Sequence, residues 1–223
     1  MIRLENVSKS YHADGVAKIV ANRISLVFPA RMSVALIGRN GAGKSSLLKI
    51  ISGAMRPGSG RVVCSGSVSW PVGFAGGFHG DLSGLQNTRF VARIYGVDTD
   101  QLVEFVLNVS ELGEHFYLPV RTYSQGMRAR LGFAMSMGID FDTYLIDEVA
   151  SVGDESFRQK SEAMLRQRLA SSGAVVVSHS APLLKRMCSA AVVIENGDAT
   201  WFDEVEAALE QHRRNMERQP AQG

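Results

Sequence analysis

The residues best placed by type and spacing to do chemistry form the stretch "GRNGAGKS", residues 38–45. The apolar run "SVALI" precedes it and the helical-looking "SLLKI" follows it. In a strand–loop–helix context, this glycine spacing predicts backbone N–H groups that cradle the β- and γ-phosphates of a nucleotide, aided by the positive end of the helix. Lys44 would place its charge on the phosphates, and Ser45 would offer an oxygen to Mg²⁺. The predicted nucleotide-binding residues here are Gly38, Arg39, Asn40, Gly41, Ala42, Gly43, Lys44, Ser45 and Ser46.

Two adjacent carboxylates complete this chemistry at the end of the apolar run "TYLIDE". Asp147 would hold Mg²⁺, directly or through water. Glu148 is placed to polarise the water that attacks the terminal phosphate. The alternative for Glu148 is a solvated carboxylate at a strand end.

The amino-acid composition indicates what kind of protein positions these groups. Its 223 residues are 45% hydrophobic and 21% charged, which is typical of a globular protein. A net charge of +2 gives no indication of a nucleic-acid partner. Cys64 and Cys188 match no metal or redox spacing, so we expect reduced structural thiols. No apolar run reaches the roughly 18 residues that would span a bilayer.

Hydrophobic periodicity divides the chain into three parts. Short strands with turns dominate the first seventy residues, including "IRLENV", "RISLVF" and "SVALIG". The periodicity is helical from Leu85 to about Gly138, with Gly96 as a predicted helix cap. Strand and helix then alternate, and a hairpin is expected to turn at Asn196–Gly197. We therefore predict an α/β fold with a mixed sheet, an N-terminal antiparallel part and a helical insert.

This pattern predicts one domain over residues 1–223. Its core would comprise about 1–83 and 139–205, and the helical insert about 84–138. A polar helix and tail would occupy about 203–223.

The stretch "YSQGMRARLGF", at the start of the third insert helix, resembles the signature motif of the ATP-binding subunits of ABC transporters. Ser124 and Gly126 keep the serine and second glycine of that motif, whereas Tyr123, Gln125 and Met127 depart from it. The resemblance covers roughly residues 1–205 and implies a P-loop NTPase of the ABC type, with ATP and Mg²⁺. It further implies a head-to-tail homodimer, in which Ser124 and Gly126 of one copy bind the γ-phosphate of the ATP held by the other.

Other family motifs follow in the expected order. The stretch "SVGD", residues 151–154, resembles the loop that crosses the dimer interface, and "VVVSHS" resembles the switch loop. The resemblance makes His179 the γ-phosphate contact and Tyr11 the aromatic that stacks on adenine. Without it, His179 and Tyr11 would read as an ordinary structural histidine and a strand-end tyrosine.

One family motif is missing. The family places a glutamine before the helical insert, but this chain reads "SWPVGFAGGFHGDLSGLQN", and Gln86 comes too late. That glycine-rich aromatic stretch, with "YSQGMRARLGFAMSM" and "DEVASVGD", resembles the ATPases of bacterial capsular polysaccharide exporters. Trp70, Phe74 and Phe78 would either line a groove that receives a helix of a membrane subunit or pack within the protein.

The capsule branch of the family is the favoured interpretation, because the chain ends too soon to hold the extra C-terminal carbohydrate-binding domain of some O-antigen ATPases. The resemblance implies a peripheral subunit on the cytoplasmic face of the bacterial inner membrane. It would dock on polytopic permease subunits and, through them, connect to periplasmic and outer-membrane export proteins. The alternatives are an O-antigen or teichoic acid exporter, a non-transport ABC ATPase, and a nucleotide-binding module without hydrolysis.

Overall fold

The computed structural model describes residues 1–13, 16–72, 77–147 and 155–218. They form two compact units. The first unit takes the described residues of Met1–Pro71, Phe141–Glu148 and Ser171–Gly223, and the second takes those of Val72–Asp140 and Val149–Ala170.

Two sheets are present among the described residues. The first contains β1 (Ile2–Ala13), β2 (Val16–Phe28) and β4 (Ser59–Cys64), and it is antiparallel in the order β2-β1-β4. The second contains β3 (Ser33–Ile37), β5 (Val68–Val72), β6 (Thr143–Asp147), β7 (Gly173–Val177), β8 (Ala190–Glu195) and β9 (Asp198–Phe202). Its order is β5-β6-β7-β3-β8-β9, with parallel pairing from β6 to β8 and antiparallel pairing of β9 on β8. A mixed sheet beside an N-terminal antiparallel sheet confirms the predicted α/β fold class.

The central strands of the mixed sheet are apolar because both of their faces are covered. Every residue of β7 is buried, and so are the last four residues of β3. Parallel strands buried on both faces read as continuous aliphatic runs, as these do. Helix α1 (Lys44–Ile51) buries Leu47, Leu48, Ile50 and Ile51 against this core.

The remaining helices of the first unit are α6 (Ala181–Met187) and α7 (Val205–Arg218). Val205 and Ala208 anchor α7 by burial, and α7 contacts β8, β3 and β9. The predicted hairpin turn is confirmed: Asn196 and Gly197 have positive φ angles of 51° and 87°, as a two-residue turn with matching twist requires.

The second unit is helical, with α2 (Gly84–Tyr95), α3 (Thr99–Ser110), α4 (Gln125–Gly138) and α5 (Glu155–Leu169). Two short 3₁₀ turns, Gly113–Tyr117 and Val120–Thr122, precede α4. Ser83 and Gln86 form a reciprocal capping box that starts α2. The predicted cap Gly96 is confirmed by its left-handed φ of 66°. Within the described ranges, no helix combines the length and apolar composition needed to cross a bilayer.

Candidate nucleotide-binding site

The glycine loop between β3 and α1 borders a cavity of about 570 Å³. Two of its glycines have positive φ angles, 75° at Gly41 and 107° at Gly43. A Cβ at Gly43 would lie 2.7 Å from the carbonyl oxygen of Val20, so no larger residue fits there without a shift of the backbone. The residues that line the cavity are Tyr11, Lys18, Val20, Asn40, Gly41, Gly43, Lys44, Ser45, Ser46, Val177 and His179.

The cavity has the electrostatic character of an anion site. It is lined by the ammonium-bearing side chains Lys18 and Lys44, and none of the described lining residues is acidic. The N-terminus of α1 adds positive potential at the same loop, because its first N–H groups have no partner within the helix.

Lys44 is held within the loop that it would use to bind phosphate. Its Nζ donates to the carbonyl oxygens of Gly38, at 2.7 Å, and Arg39, at 2.9 Å. Gly38 itself is tightly placed, since a Cβ there would lie 2.6 Å from the carbonyl oxygen of Ile194 on β8. The ammonium is therefore oriented by backbone oxygens within the glycine loop.

Tyr11 is fixed by contacts that leave its ring at the cavity. Its hydroxyl lies 3.0 Å from Ser46 Oγ and donates to Met55 Sδ at 3.2 Å. The side chain of Lys9 approaches the ring to 5.8 Å from its centroid. With 38% of its surface exposed, Tyr11 offers an apolar platform. Its role in adenine stacking stays a prediction.

The carboxyl ends of the parallel strands carry the other predicted side chains of this unit. Exposed His179 follows β7 and lines the cavity beside Val177. Half-buried Asp147 ends β6 opposite Val177 in the strand register, but it is not among the described lining residues. In the strand order, β7 lies between β6, which ends at Asp147, and β3, which leads into the glycine loop.

Three predictions fall wholly or partly on residues outside the described ranges. They concern the catalytic role of Glu148, the interface loop of residues 151–154 and the aromatic residue Phe74. They stay predictions.

The signature residues belong to the second unit, where Ser124 is the N-cap of α4. Its Oγ accepts a hydrogen bond from the backbone N–H of Met127 at 3.2 Å. A Cβ at Gly126 would meet only Ser124 Oγ, at 3.9 Å, which leaves open space over this helix start. The departure at Tyr123 serves packing, because the side chain is 2% exposed and its hydroxyl donates to the His115 carbonyl oxygen.

Two aromatic residues of the glycine-rich stretch lie in the described ranges, Trp70 and Phe78. Trp70 packs edge-to-face on Phe141, with ring centroids 5.5 Å apart, which favours the packing interpretation for Trp70. Phe78 is half-buried. Gln86, which comes too late to replace the missing glutamine, accepts a hydrogen bond from the Ser83 backbone N–H at 2.9 Å.

Sequence reasoning missed two residues of β2 that line the cavity, Lys18 and Val20. Their role depends on the register in which β2 passes the glycine loop, and no local motif marks it. Simple alternation could not have paired them, because the β1–β2 register shifts between the pairs Ser10–Ile19 and Lys9–Ala21.

The sequence predicts a polar helix from about residue 203, and α7 lies there; the sequence does not indicate that polar residues of this helix contact β8. The side-chain amide of Asn215 donates to the carboxylate of Glu195 at the end of β8. Gln211 donates to Asn215 Oδ1 at 2.7 Å. Burial, followed by the charge of Lys44, lowers the pKa of His212 on the same helix.

Comparisons with known proteins agree with this geometry. The family model described as "ABC transporter" matches residues 21–151. The polysialic acid transport ATP-binding protein KpsT of Escherichia coli is 42% identical over 96% of each chain. The capsule polysaccharide export ATP-binding protein CtrD of Neisseria meningitidis is 42% identical over 94% of this chain and 97% of its own.

A solved structure extends the likeness to the fold. The dimeric ATP-binding cassette MJ0796, in a post-hydrolysis state bound to ADP and Pi, matches with a TM-score of 0.77. It covers 92% of this chain and 99% of its own, at 19% identity, so the likeness supports the fold alone.

Proposed function

This chain belongs to the ABC transporter family as an ATP-hydrolysing subunit, and we propose that it powers export of a capsular polysaccharide across the bacterial inner membrane. The observation that carries the proposal is the cationic cavity on the glycine loop, in a chain 42% identical along almost its full length to ATP-binding proteins of polysialic acid transport and capsule polysaccharide export. That likeness supports a polysaccharide as the exported substrate, and the cavity supports ATP as the energy source.

The cavity fits a nucleoside triphosphate. The β- and γ-phosphates would take the N–H groups of the glycine loop, and Lys44 would turn from its two carbonyl partners to the phosphate oxygens. Tyr11 would carry the adenine on its exposed ring. This exchange of partners keeps the ammonium hydrogen-bonded in both states, so binding leaves no buried donor unsatisfied.

Oxygen donors suited to Mg²⁺ stand at the same edge of the sheet. Exposed Ser45 lies in the first turn of α1, and half-buried Asp147 ends β6, so a hydroxyl and a carboxylate would hold the ion with the phosphates. When bound, Mg²⁺ supplies charge neutralisation at the β- and γ-phosphate oxygens.

Hydrolysis needs a positioned water and a stabilised leaving charge. Glu148, which directly follows Asp147, would accept the proton of the water as its oxygen attacks the γ-phosphorus. The bond between the γ-phosphorus and the oxygen that bridges to the β-phosphate would break, and ADP would leave with the electron pair of this bond. His179 lines the cavity and would donate a hydrogen bond to the γ-phosphoryl oxygens as charge develops there.

A second copy of the chain would complete the site. Ser124 and Gly126 stand at the start of α4, where open space over Gly126 leaves room for an anion to approach the helix N–H groups. In a head-to-tail homodimer they would meet the γ-phosphate held by the other copy. Hydrolysis then removes the bridging group, which loosens the dimer and supplies a mechanical step.

The mechanical step requires membrane subunits to act on. We place the homodimer peripherally on the cytoplasmic face of the inner membrane, docked on polytopic permease subunits. Periplasmic and outer-membrane export proteins would connect through the permease. Phe78, which is half-buried, remains a candidate for the docking groove.

Co-purification tests this assembly. The tagged chain is expressed in its own host, membranes are solubilised in mild detergent, and stoichiometric partners are identified. The proposal expects a polytopic membrane protein in fixed ratio with the wild type and with the hydrolysis-deficient Glu148→Gln variant. Recovery of soluble partners only, such as ribosomes or repair factors, would leave the ATPase intact and contradict the transporter role.

A further inference from the structure

We propose that Lys18 is a second phosphate-binding cation of this site, which holds the nucleotide polyphosphate against the glycine loop from the β2 side. The inference rests on the proposed function, because it concerns the same ATP. Nothing in the sequence motif marks this residue, which lies 20 residues before the motif begins.

Strand register places Lys18 on the loop. Lys18 and Val20 of β2 both line the cavity, although the β1–β2 register is irregular between the pairs Ser10–Ile19 and Lys9–Ala21. Val20 meets the loop at Gly43, where a Cβ would lie 2.8 Å from Val20 Cβ. Lys18 meets it at Gly41, where a Cβ would lie 2.8 Å from Lys18 Nζ. This part of β2 therefore runs beside the glycine loop, and the Lys18 ammonium reaches the turn at Gly41.

The environment of Lys18 suits a side chain that binds a ligand better than one that stabilises the fold. Lys18 is exposed and lines the 570 Å³ cavity together with Lys44. Across the described ranges, no carboxylate forms an ion pair with it. Its ammonium can therefore donate hydrogen bonds to a phosphate without breaking an ion pair within the protein.

The two lysines have different tasks. Lys44 is oriented by the carbonyls of Gly38 and Arg39 at the base of the loop. Lys18 approaches from another strand, at Gly41, as a flexible point charge. ATP at neutral pH carries about four negative charges, more than one ammonium and one divalent cation offset, so a second ammonium adds attraction at the rim of the cavity.

The test compares nucleotide affinities of Lys18→Met, Lys18→Arg and Lys49→Met by calorimetry with ATP, ADP and AMP. Lys49 is a matched control, because it is exposed on α1 but does not line the cavity. Lys18→Met should bind ATP about ten-fold more weakly than wild type, since one charge-assisted hydrogen bond is lost. Lys18→Arg should restore most of that affinity, and the loss for AMP should be under about two-fold, because AMP lacks the outer phosphates.

Salt and kinetics separate this role from a structural one. Wild-type ATP affinity should fall with added salt more steeply than that of Lys18→Met, because a partly exposed charge pair is screened. KM should rise in Lys18→Met while kcat stays near the wild-type value, as expected for loss of uniform binding.

Equal ATP affinity of Lys18→Met and wild type would overturn the role of Lys18 and leave the proposed function standing. Equal losses for ATP and AMP would also overturn it, because the contact would not be to the outer phosphates. A wild-type chain that bound no ATP would overturn the proposed function itself, and with it this role.

Discussion

The conformation of the glycine loop makes Gly43→Ala the sharpest perturbation of the site. At φ = 107°, Gly43 adopts a backbone conformation that costs a residue with a Cβ about 1–3 kcal/mol. The added Cβ would also lie 2.7 Å from the carbonyl oxygen and 2.8 Å from Cβ of Val20, and such crowding costs a further ~1–3 kcal/mol. The loop would therefore give up the conformation that directs its N–H groups at phosphate.

The lower bound of that sum, about 2 kcal/mol, corresponds to about 30-fold weaker ATP binding if the loop must recover its conformation to bind. Calorimetry with ATP measures the affinity, and urea unfolding measures the stability. Gly53→Ala is the matched control: its φ is 77°, but no atom lies within 4 Å of the added Cβ. It should lose about 1 kcal/mol of stability and keep ATP affinity within about two-fold.

A second variant checks the source of the crowding. Val20→Ala keeps the backbone carbonyl and the Cβ that the added Cβ of Gly43→Ala would meet. ATP binding should therefore stay as weak in the Gly43→Ala/Val20→Ala double variant as in Gly43→Ala alone. Wild-type ATP affinity in Gly43→Ala, or rescue by Val20→Ala, would refute the argument that the backbone of β2 fixes this loop.

Three further predictions concern hydrolysis, dimerisation and pH. Glu148→Gln should bind ATP normally, accumulate an ATP-bound dimer in size-exclusion chromatography and lose most turnover; hydrolysis at the parent rate would show that another group is the base. Gly126→Ala should fold with unchanged or slightly higher stability, by up to about 1 kcal/mol, and bind ATP as a monomer, but lose dimerisation and turnover; full activity would contradict close approach of the partner's γ-phosphate at Ser124. Burial and the charge of Lys44 lower the pKa of His212, so the unfolded chain binds its proton more readily between the lowered pKa and the ordinary 6.5. The free energy of unfolding should therefore rise with pH across that window and flatten in His212→Gln, and identical pH profiles in urea titrations would rule this out.

The sequence predicts the parts of the fold that are encoded locally. The mixed α/β architecture, the hairpin at Asn196–Gly197 and the cap at Gly96 each follow from residues that act on their own neighbours. The loop between β3 and α1 was predictable for the same reason, since its glycine, lysine and serine positions are consecutive.

Features that depend on long-range register could not be predicted. Lys18 and Val20 reach the loop only because β2 passes it in one particular register, across more than 20 residues of sequence. The hydrogen bond from Asn215 to Glu195 likewise depends on how α7 packs on β8. The sequence shows only that Tyr123 departs from the family motif, whereas the structure shows that its side chain is buried and donates to the His115 carbonyl oxygen.

The location of the polymer in cells tests the central claim most directly. The gene for this chain is deleted in its own host and replaced by wild type or by Lys44→Ala, and surface and intracellular polysaccharide are then quantified separately. The account predicts surface polymer with wild type, and intracellular accumulation with little surface polymer both in the deletion and with Lys44→Ala. Normal surface polymer in the deletion, or with Lys44→Ala expressed at wild-type levels, would contradict the claim that ATP bound at this loop powers the export.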